Sequence, residues 1–152
     1  MKGGAKITGQ DLAASLPFLS ETERQELSRY LEQVRHPAQA QVMAPGDASD
    51  FLGFVVSGRL AVKRETEFAG RFVLVALLAA GAVVGEVGAF TGQPRAATVV
   101  SLEASELLII RKEPLAQLFS DNPDLAVKLL VKVVGVVGAR LQQCSDRLAQ
   151  LL

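Results

Sequence analysis

The 152-residue sequence predicts an α+β fold in which an antiparallel β-barrel or sandwich is flanked by helix at both ends. Three observations carry that assignment. Apolar residues recur at helical spacing in the first third, short β-rich runs separated by glycines fill the middle, and a heptad-like stripe occupies the end. Strands do not alternate with helices, which argues against a Rossmann or other doubly wound sheet. Residues 1–152 are taken as a single domain: a helical lead-in over about 8–36, the β-barrel over about 39–111 and C-terminal helices over about 112–152.

In the lead-in, Leu16, Pro17, Phe18 and Leu19 form an apolar stretch expected to pack on the body. Ser20, Glu21, Thr22 and Glu23 then have the form of a capping box, with Ser20 as N-cap and Glu23 three residues on. Leu27, Tyr30, Leu31 and Val34 continue at helical spacing. The helix is therefore expected to end at Pro37, because a proline pushes the residue before it out of the helical region. His36 is expected there as a solvent-exposed residue at the helix end.

The middle is punctuated by turns. Pro45, Gly46 and Asp47 signal one, and the β-rich run 51–56 follows. Ser57 and Gly58 break the run, residues 59–64 resume it with partial alternation, and the polar segment 65–71 leads as a hairpin into 72–78. Gly81 and Gly85 bracket Val83 and Val84, and further strands are expected over 95–100 and 106–110.

Helix returns over 113–119, breaks at Asp121, Asn122 and Pro123, and then runs to the end. There Val127, Leu130, Val134, Val137, Leu141, Cys144, Leu148 and Leu151 fall alternately three and four residues apart. That is an a/d heptad pattern over about four repeats, pointing to a homodimer seam; the alternative is that the first half packs on the barrel and only the second half is a seam. Residues 133–139 mix valines with Gly135 and Gly138, and each glycine costs a helix about 1 kcal/mol relative to alanine. Gly135 and Ala139 lie one turn apart, so either another backbone or a ligand approaches closely there, or the segment packs tightly on the first helix.

Composition bounds the function. Sixteen basic and sixteen acidic side chains cancel, which argues against gripping nucleic acid or an anionic membrane by bulk charge. A single cysteine, Cys144, excludes an intramolecular disulfide, and a single histidine, His36, excludes a multi-histidine metal centre. The start, Met1 to Lys6, leads to no apolar stretch of signal-peptide length. The longest uncharged run, residues 72–85, falls short of the roughly 20 residues of a membrane helix. No Gly-Lys pair occurs, so there is no Walker-type phosphate loop.

The stretch from 85 to 99 carries the chemistry. Glu86 and Arg95 stand nine residues apart, joined by a segment containing Gly88 and Gly92. A short helical turn starting near Glu86 offers unpaired backbone N–H groups to an anion. Arg95 supplies a planar fork of donors suited to phosphate, and an ionised Glu86 accepts from a sugar hydroxyl. Anion, hydroxyl and an apolar surround together describe a nucleotide.

The Gly85–Glu86 pair, followed by Pro94, Arg95, Ala96, Ala97, Thr98 and Val99, resembles the phosphate-binding cassette of the cyclic nucleotide-binding domains. These occur in bacterial catabolite activators, protein kinase A regulatory subunits and nucleotide-gated channels. Residues 45–47, 56–62 and 81–86 resemble the family's turn and strand landmarks in order, and 105–114 and 122–124 resemble its last strand and the start of its C-helix. The resemblance implies a double-stranded β-helix, or jelly-roll, barrel. It implies that Glu86 accepts from the ribose 2′-hydroxyl and that Arg95 holds the cyclic phosphate. Gly85 and the N–H groups near Val87, Gly88 and Ala96 belong to the same cradle, and Ala97 and Thr98 line the pocket beside it. In the family a Thr or Ser directly after the arginine often favours cGMP, so Ala96 favours cAMP.

The resemblance also implies a C-helix side chain capping the base. All seven phenylalanines and the tyrosine lie at or before Phe119, so the cap is not aromatic. The candidates are Val133, Val136, Val137, Arg140 and Leu141, with Arg140 able to stack by its plane. Arg140, Leu141 and Gln142 followed by Cys144 and Ser145 resemble the base-contacting stretch of the catabolite activators, so Cys144 and Ser145 meet the adenine, or Cys144 is a small apolar seam residue. Leu118 and Phe119 resemble the family's hinge residues, or are ordinary core. Were nucleotide binding lost, Arg95 is expected to pair with Glu86 inside a silent scaffold.

The expectation is a non-catalytic cytoplasmic sensor of cAMP rather than cGMP, with no cofactor and no metal. Its expected partners are a second copy through the C-terminal helix and an unidentified protein effector, with no direct nucleic-acid or membrane contact. Two alternatives stand beside it: the sensory fragment of a catabolite-activator-like transcription regulator without its helix-turn-helix, and a non-binding scaffold.

Overall fold

Apolar runs too short for a core helix become strands here, and they pair non-sequentially into two antiparallel sheets. The computed structural model describes residues 7–152. The leader-free start expected at Met1 to Lys6 lies outside the described residues. The elements in chain order are α1 (Gly9–Ser15), α2 (Glu21–Ser28), β1 (Glu32–His36), β2 (Gln41–Met43), β3 (Phe51–Ser57), β4 (Leu60–Glu65), β5 (Phe72–Leu78), β6 (Val83–Val84), α3 (Glu86–Thr91), β7 (Thr98–Ser101), β8 (Ser105–Arg111), α4 (Lys112–Asp121) and α5 (Pro123–Leu151). One sheet has the order β1-β8-β3-β6 and the other β2-β7-β4-β5.

Strand alternation sets the layers. Leu52, Phe54 and Val56 of β3 and Leu108 and Ile110 of β8 face α1, α2, α4 and α5, in one core with Leu16, Leu27, Leu118 and Leu129. Their neighbours Val55, Leu107 and Ile109 turn the other way and meet Met43, Leu60, Leu78 and Val99 of the second sheet. The first sheet is buried on both faces, which is why β3 and β8 are continuously apolar. Each fully buried Leu or Phe in these layers contributes about 1.5–3 kcal/mol. Gly58 makes the sharp β3–β4 turn at φ +89°, and a Cβ there would lie 2.6 Å from the Ala104 carbonyl oxygen.

Local chemistry survives at the helix ends. The Ser20 hydroxyl accepts from the Glu23 N–H, and the Glu23 carboxylate accepts from the Ser20 N–H, completing the expected capping box. Leu16 and Leu19 are buried as the apolar lead-in. Asn122 caps α5, its side chain accepting from the Leu125 N–H, with Pro123 in the first turn.

Four expectations are corrected. The helix of residues 20–36 ends at Ser28, and residues 32–36 form β1, paired in register with Ser105 to Ile109. Five strand pairs, with Arg35 bridged to Glu106 at 2.9 Å, override a short helical pattern. The β region therefore begins at 32 rather than 39, and it includes β2, which the sequence pattern missed. His36 lies half-buried at a strand end, its pKa pushed down by burial, rather than exposed at a helix end. Finally, Gly135 and Gly138 are exposed and a Cβ on either would touch nothing within 4 Å, so neither packs on the first helix.

The long helix presents two different stripes. Leu125, Ala126, Leu129 and Val133 are buried against the body. The a/d stripe points outward, with Val127, Val134, Leu141 and Leu148 each more than half exposed. From residue 141 onward every position is exposed. No helix among the described residues is long and apolar enough to cross a membrane.

Candidate functional site

The site forms where the chain leaves β6. Gly85 takes φ +74°, a left-handed conformation that turns the strand directly into α3. The first bond of that helix runs from the Ala89 N–H to the Gly85 carbonyl, so the N–H groups of Glu86, Val87 and Gly88 have no partner within the helix. A Cβ on Gly88 would collide with the Ser49 side chain, so only glycine lets α3 settle this close to the loop before β3. Ser49 reinforces the approach by donating to the Gln93 carbonyl at 2.6 Å.

Arg95 is delivered by backbone tethers. Its N–H donates to the Asp47 carbonyl and its own carbonyl accepts from the Gly46 N–H, both at 2.9 Å, so the Pro45–Gly46–Asp47 turn pins the segment leading into β7, which starts at Thr98 and not at the expected residue 95. The side chain is 7% exposed. One guanidinium nitrogen donates to the Gly85 carbonyl at 2.8 Å and the other to the Phe51 carbonyl at 2.7 Å. The guanidinium also stacks over the Phe51 ring, 4.8 Å from its centre. Burial pulls the Arg95 pKa below its ordinary value, against the opposing fields of Asp50, Glu86 and Asp47. No ion pair to Arg95 occurs among the described residues.

The Arg95–Glu86 pair expected of an unliganded scaffold does not form. Buried Glu86 pairs instead with Arg140 of α5, at 2.6 Å through Oε1. The second terminal nitrogen of Arg140 donates to the Val83 carbonyl at 2.6 Å. One side chain thus ties the long helix to β6 and to the first residue of α3.

A cavity of about 170 Å³ opens onto these groups, lined by Gly85, Glu86, Val87, Gly88, Arg95, Ala96, Ala97 and Arg140. All the expected cassette residues except Thr98 line it. Thr98 opens β7 instead, opposite Lys63 of β4, and alternates with Ala97 and Val99, which do line the cavity. A second, larger cavity of about 540 Å³ lies between β5 and α5.

The candidate base cap divides by helix face. Val136, Arg140 and Cys144 line the larger cavity. Val137, Leu141 and Ser145 do not; they are exposed on other faces of α5. Val133 is buried in the helix–sheet core. Leu118 is fully buried there too, while Phe119 is partly exposed and meets the Phe90 ring edge-on at 6.4 Å. Gln143 and Arg147, which sequence reasoning passed over, do line the larger cavity. Their signal was available: they continue the i, i+3, i+4 row from Val136 and Arg140 that the apolar heptad obscured.

Residues 33–122 match the family described as "Cyclic nucleotide-binding domain". The chain is 25% identical over 126 residues to a CRP-like cAMP-activated global transcriptional regulator of Mycobacterium tuberculosis, covering 83% of this chain and 54% of that protein. It therefore spans about half the length of the curated relatives it matches. Among solved structures it is similar to a cyclic nucleotide-binding domain from Methylobacillus flagellatus KT, with TM-score 0.82 and 24% identity over 94% of this chain and 81% of that one. It is also similar to the catabolite activator protein of Thermus thermophilus, with TM-score 0.73 and 26% identity over 93% of this chain and 62% of that one. With its glycine turn, buried arginine and buried carboxylate built as described, and a family match over more than half its length, the chain belongs to the cyclic nucleotide-binding domain family.

Proposed function

We propose that residues 1–152 act as one regulatory domain that binds cAMP in preference to cGMP and signals through α5. The observation that carries this reading is Arg95: a buried guanidinium, facing a cavity, with two carbonyl partners and no carboxylate. A buried cation without a counter-ion is expensive, and a cyclic phosphate supplies the missing charge. The free N–H groups of Val87 and Gly88 complete the cradle, and Glu86 accepts from the ribose 2′-hydroxyl while Arg140 keeps hold of its other oxygen. Ala96, in place of a hydroxyl-bearing side chain, is the basis for preferring cAMP.

On this reading the two sheets are the halves of a jelly-roll barrel around the ligand. Arg140 is the lever. It bonds Glu86 and Val83 at once, so ligand that repositions Glu86 also repositions α5, and only a differential affinity for the two positions drives the shift. The readers of that movement are a second copy along the outward stripe of α5 and a protein effector. The domain works without a cofactor, in the cytoplasm, as a sensor rather than an enzyme. A second reading, the sensory half of a transcription regulator, is favoured by the Mycobacterium tuberculosis relative, and the length of the encoding gene separates the two.

The test is titration calorimetry of cAMP and cGMP against protein freed of bound nucleotide. Wild type is expected to saturate, with cAMP the tighter ligand. Arg95→Ala is expected to weaken binding by about 10- to 150-fold, the range for lost hydrogen bonds to a charged group. Ligand at a hundred times its dissociation constant should add about 2.7 kcal/mol of stability, which a thermal melt reads independently. Neither heat nor thermal shift with either nucleotide would sink the reading.

A further inference from the structure

The larger cavity, about 540 Å³, shares Leu78 and Arg140 with the cassette cavity. A ligand seated against Glu86 can therefore extend past Arg140 into it. The walls of that space differ in kind. On the β5 side they are aliphatic: Leu74, Ala76 and Leu78. On the α5 side Val136, Ala139 and Cys144 are joined by a polar row of Arg140, Gln143 and Arg147, three and four residues apart and so on one face of the helix. At 1.5 Å per residue, Gln143 lies about 4.5 Å and Arg147 about 10.5 Å along the axis beyond Arg140. Helical side chains lean back toward the N-terminus, so both reach over the space just past Arg140.

Arg140 is already engaged, by Glu86 and the Val83 carbonyl. Gln143 and Arg147 have no hydrogen bond or ion pair among the described residues. An aliphatic wall opposite a row of hydrogen-bonding side chains fits a flat ring whose face is apolar and whose edge is polar. It does not fit a second phosphate, which would strand its oxygens against Leu74 and Leu78.

We infer that Gln143 reads the edge of the nucleobase and makes the site select adenine, with Arg147 covering the exposed face of the ring. This inference rests on the nucleotide reading above and assigns its specificity. A carboxamide presents one donor and one acceptor side by side. Adenine presents the complement, the N6 amino donor beside the N7 acceptor, whereas guanine presents two acceptors there, O6 and N7. The amide carbonyl of Gln143 then faces an acceptor whenever guanine enters, and one hydrogen bond becomes a repulsion. Arg147, planar and weakly hydrated, stacks on the purine from the side β5 leaves open.

The experiment is a binding cycle on the full chain, freed of nucleotide, with cAMP, cGMP and 7-deaza-cAMP, which lacks the N7 acceptor. Gln143 is exposed, so Gln143→Leu is expected to fold as wild type does. For wild type, 7-deaza-cAMP should bind about tenfold more weakly than cAMP. In Gln143→Leu that difference should vanish, and the cAMP preference over cGMP should fall by about tenfold. Arg147→Ala should weaken both natural nucleotides alike. Equal wild-type affinity for cAMP and 7-deaza-cAMP, or an unchanged cAMP/cGMP ratio in Gln143→Leu, overturns the assignment while leaving the nucleotide reading standing. Selective loss of cGMP in Arg147→Ala overturns it too, because the guanidinium would then be the base reader. Failure of wild type to bind any of the three ligands overturns the nucleotide reading itself.

Discussion

Glu23 serves two partners from one carboxylate. One oxygen accepts from the Ser20 N–H at 2.9 Å and the other pairs with Lys128 of α5 at 2.7 Å. The Lys128 ammonium first, and then the Ser20 N–H, lower its pKa from 4.5 to about 2. A carboxylate whose folded pKa lies below its unfolded value adds stability that is fully present above the unfolded pKa and lost as pH falls through the folded one. Glu23→Gln is therefore expected to be less stable than wild type at pH 7, and the gap should narrow as pH falls from 4.5 toward 2. Urea unfolding at pH 7 and pH 2.5 measures it; a gap of equal size at both would show that Glu23 contributes nothing through its charge. Glu23 was legible in the sequence as half of a capping box because its partner lies three residues away. Its ion pair to Lys128, across more than a hundred residues, was not. Arg95 and Glu86 behave the same way: their identity and spacing marked a candidate phosphate and sugar site, yet their partners, Phe51 and Arg140, come from remote strand and helix.

At the scale of elements, α5 shows why periodicity alone misleads. The heptad positions and the buried positions are different residues of the same helix. Leu129, fully buried, packs on α4 and the first sheet, whereas Val134, 63% exposed, faces outward. Leu129→Ala is expected to cost about 2–5 kcal/mol, the range for emptying a packed site. Val134→Ala should stay within about 0.5 kcal/mol in the isolated chain. Denaturant unfolding at low protein concentration measures both; equal costs would mean that both stripes are covered. β1 teaches the converse. Leu27 and Leu31 join the helix-side core while Val34 packs toward the space between the sheets, so one apparent stripe serves two cores. Spacing of three and four residues over so short a stretch does not separate a helix from a helix followed by a strand. Pairing with the outer edge of β8 decided it.

At the scale of the whole molecule, the outward stripe of Val134, Val137, Leu141 and Leu148 remains uncovered on a helix whose last dozen residues are all exposed. A second copy in a coiled coil is the proposed cover. Sedimentation equilibrium of the wild type is expected to give a dimer, and Leu141→Asp, which places a carboxylate in the seam, a monomer with an unchanged thermal melt at low concentration. A monomeric wild type at all concentrations would remove the second copy from the proposal. What the sequence determined by itself was local: caps, glycine turns, the continuous apolar runs of β3 and β8, and the glycine–carboxylate–arginine order of the cassette. Each depends on neighbours within a few residues, where backbone geometry leaves little choice. Only the tertiary structure decided that residues 32–36 pair as a strand, that Arg140 rather than Arg95 takes Glu86, and that Gln143 and Arg147 face the larger cavity. Those outcomes depend on which distant surfaces meet, and competing local preferences of about a kilocalorie per residue are too weak to decide them.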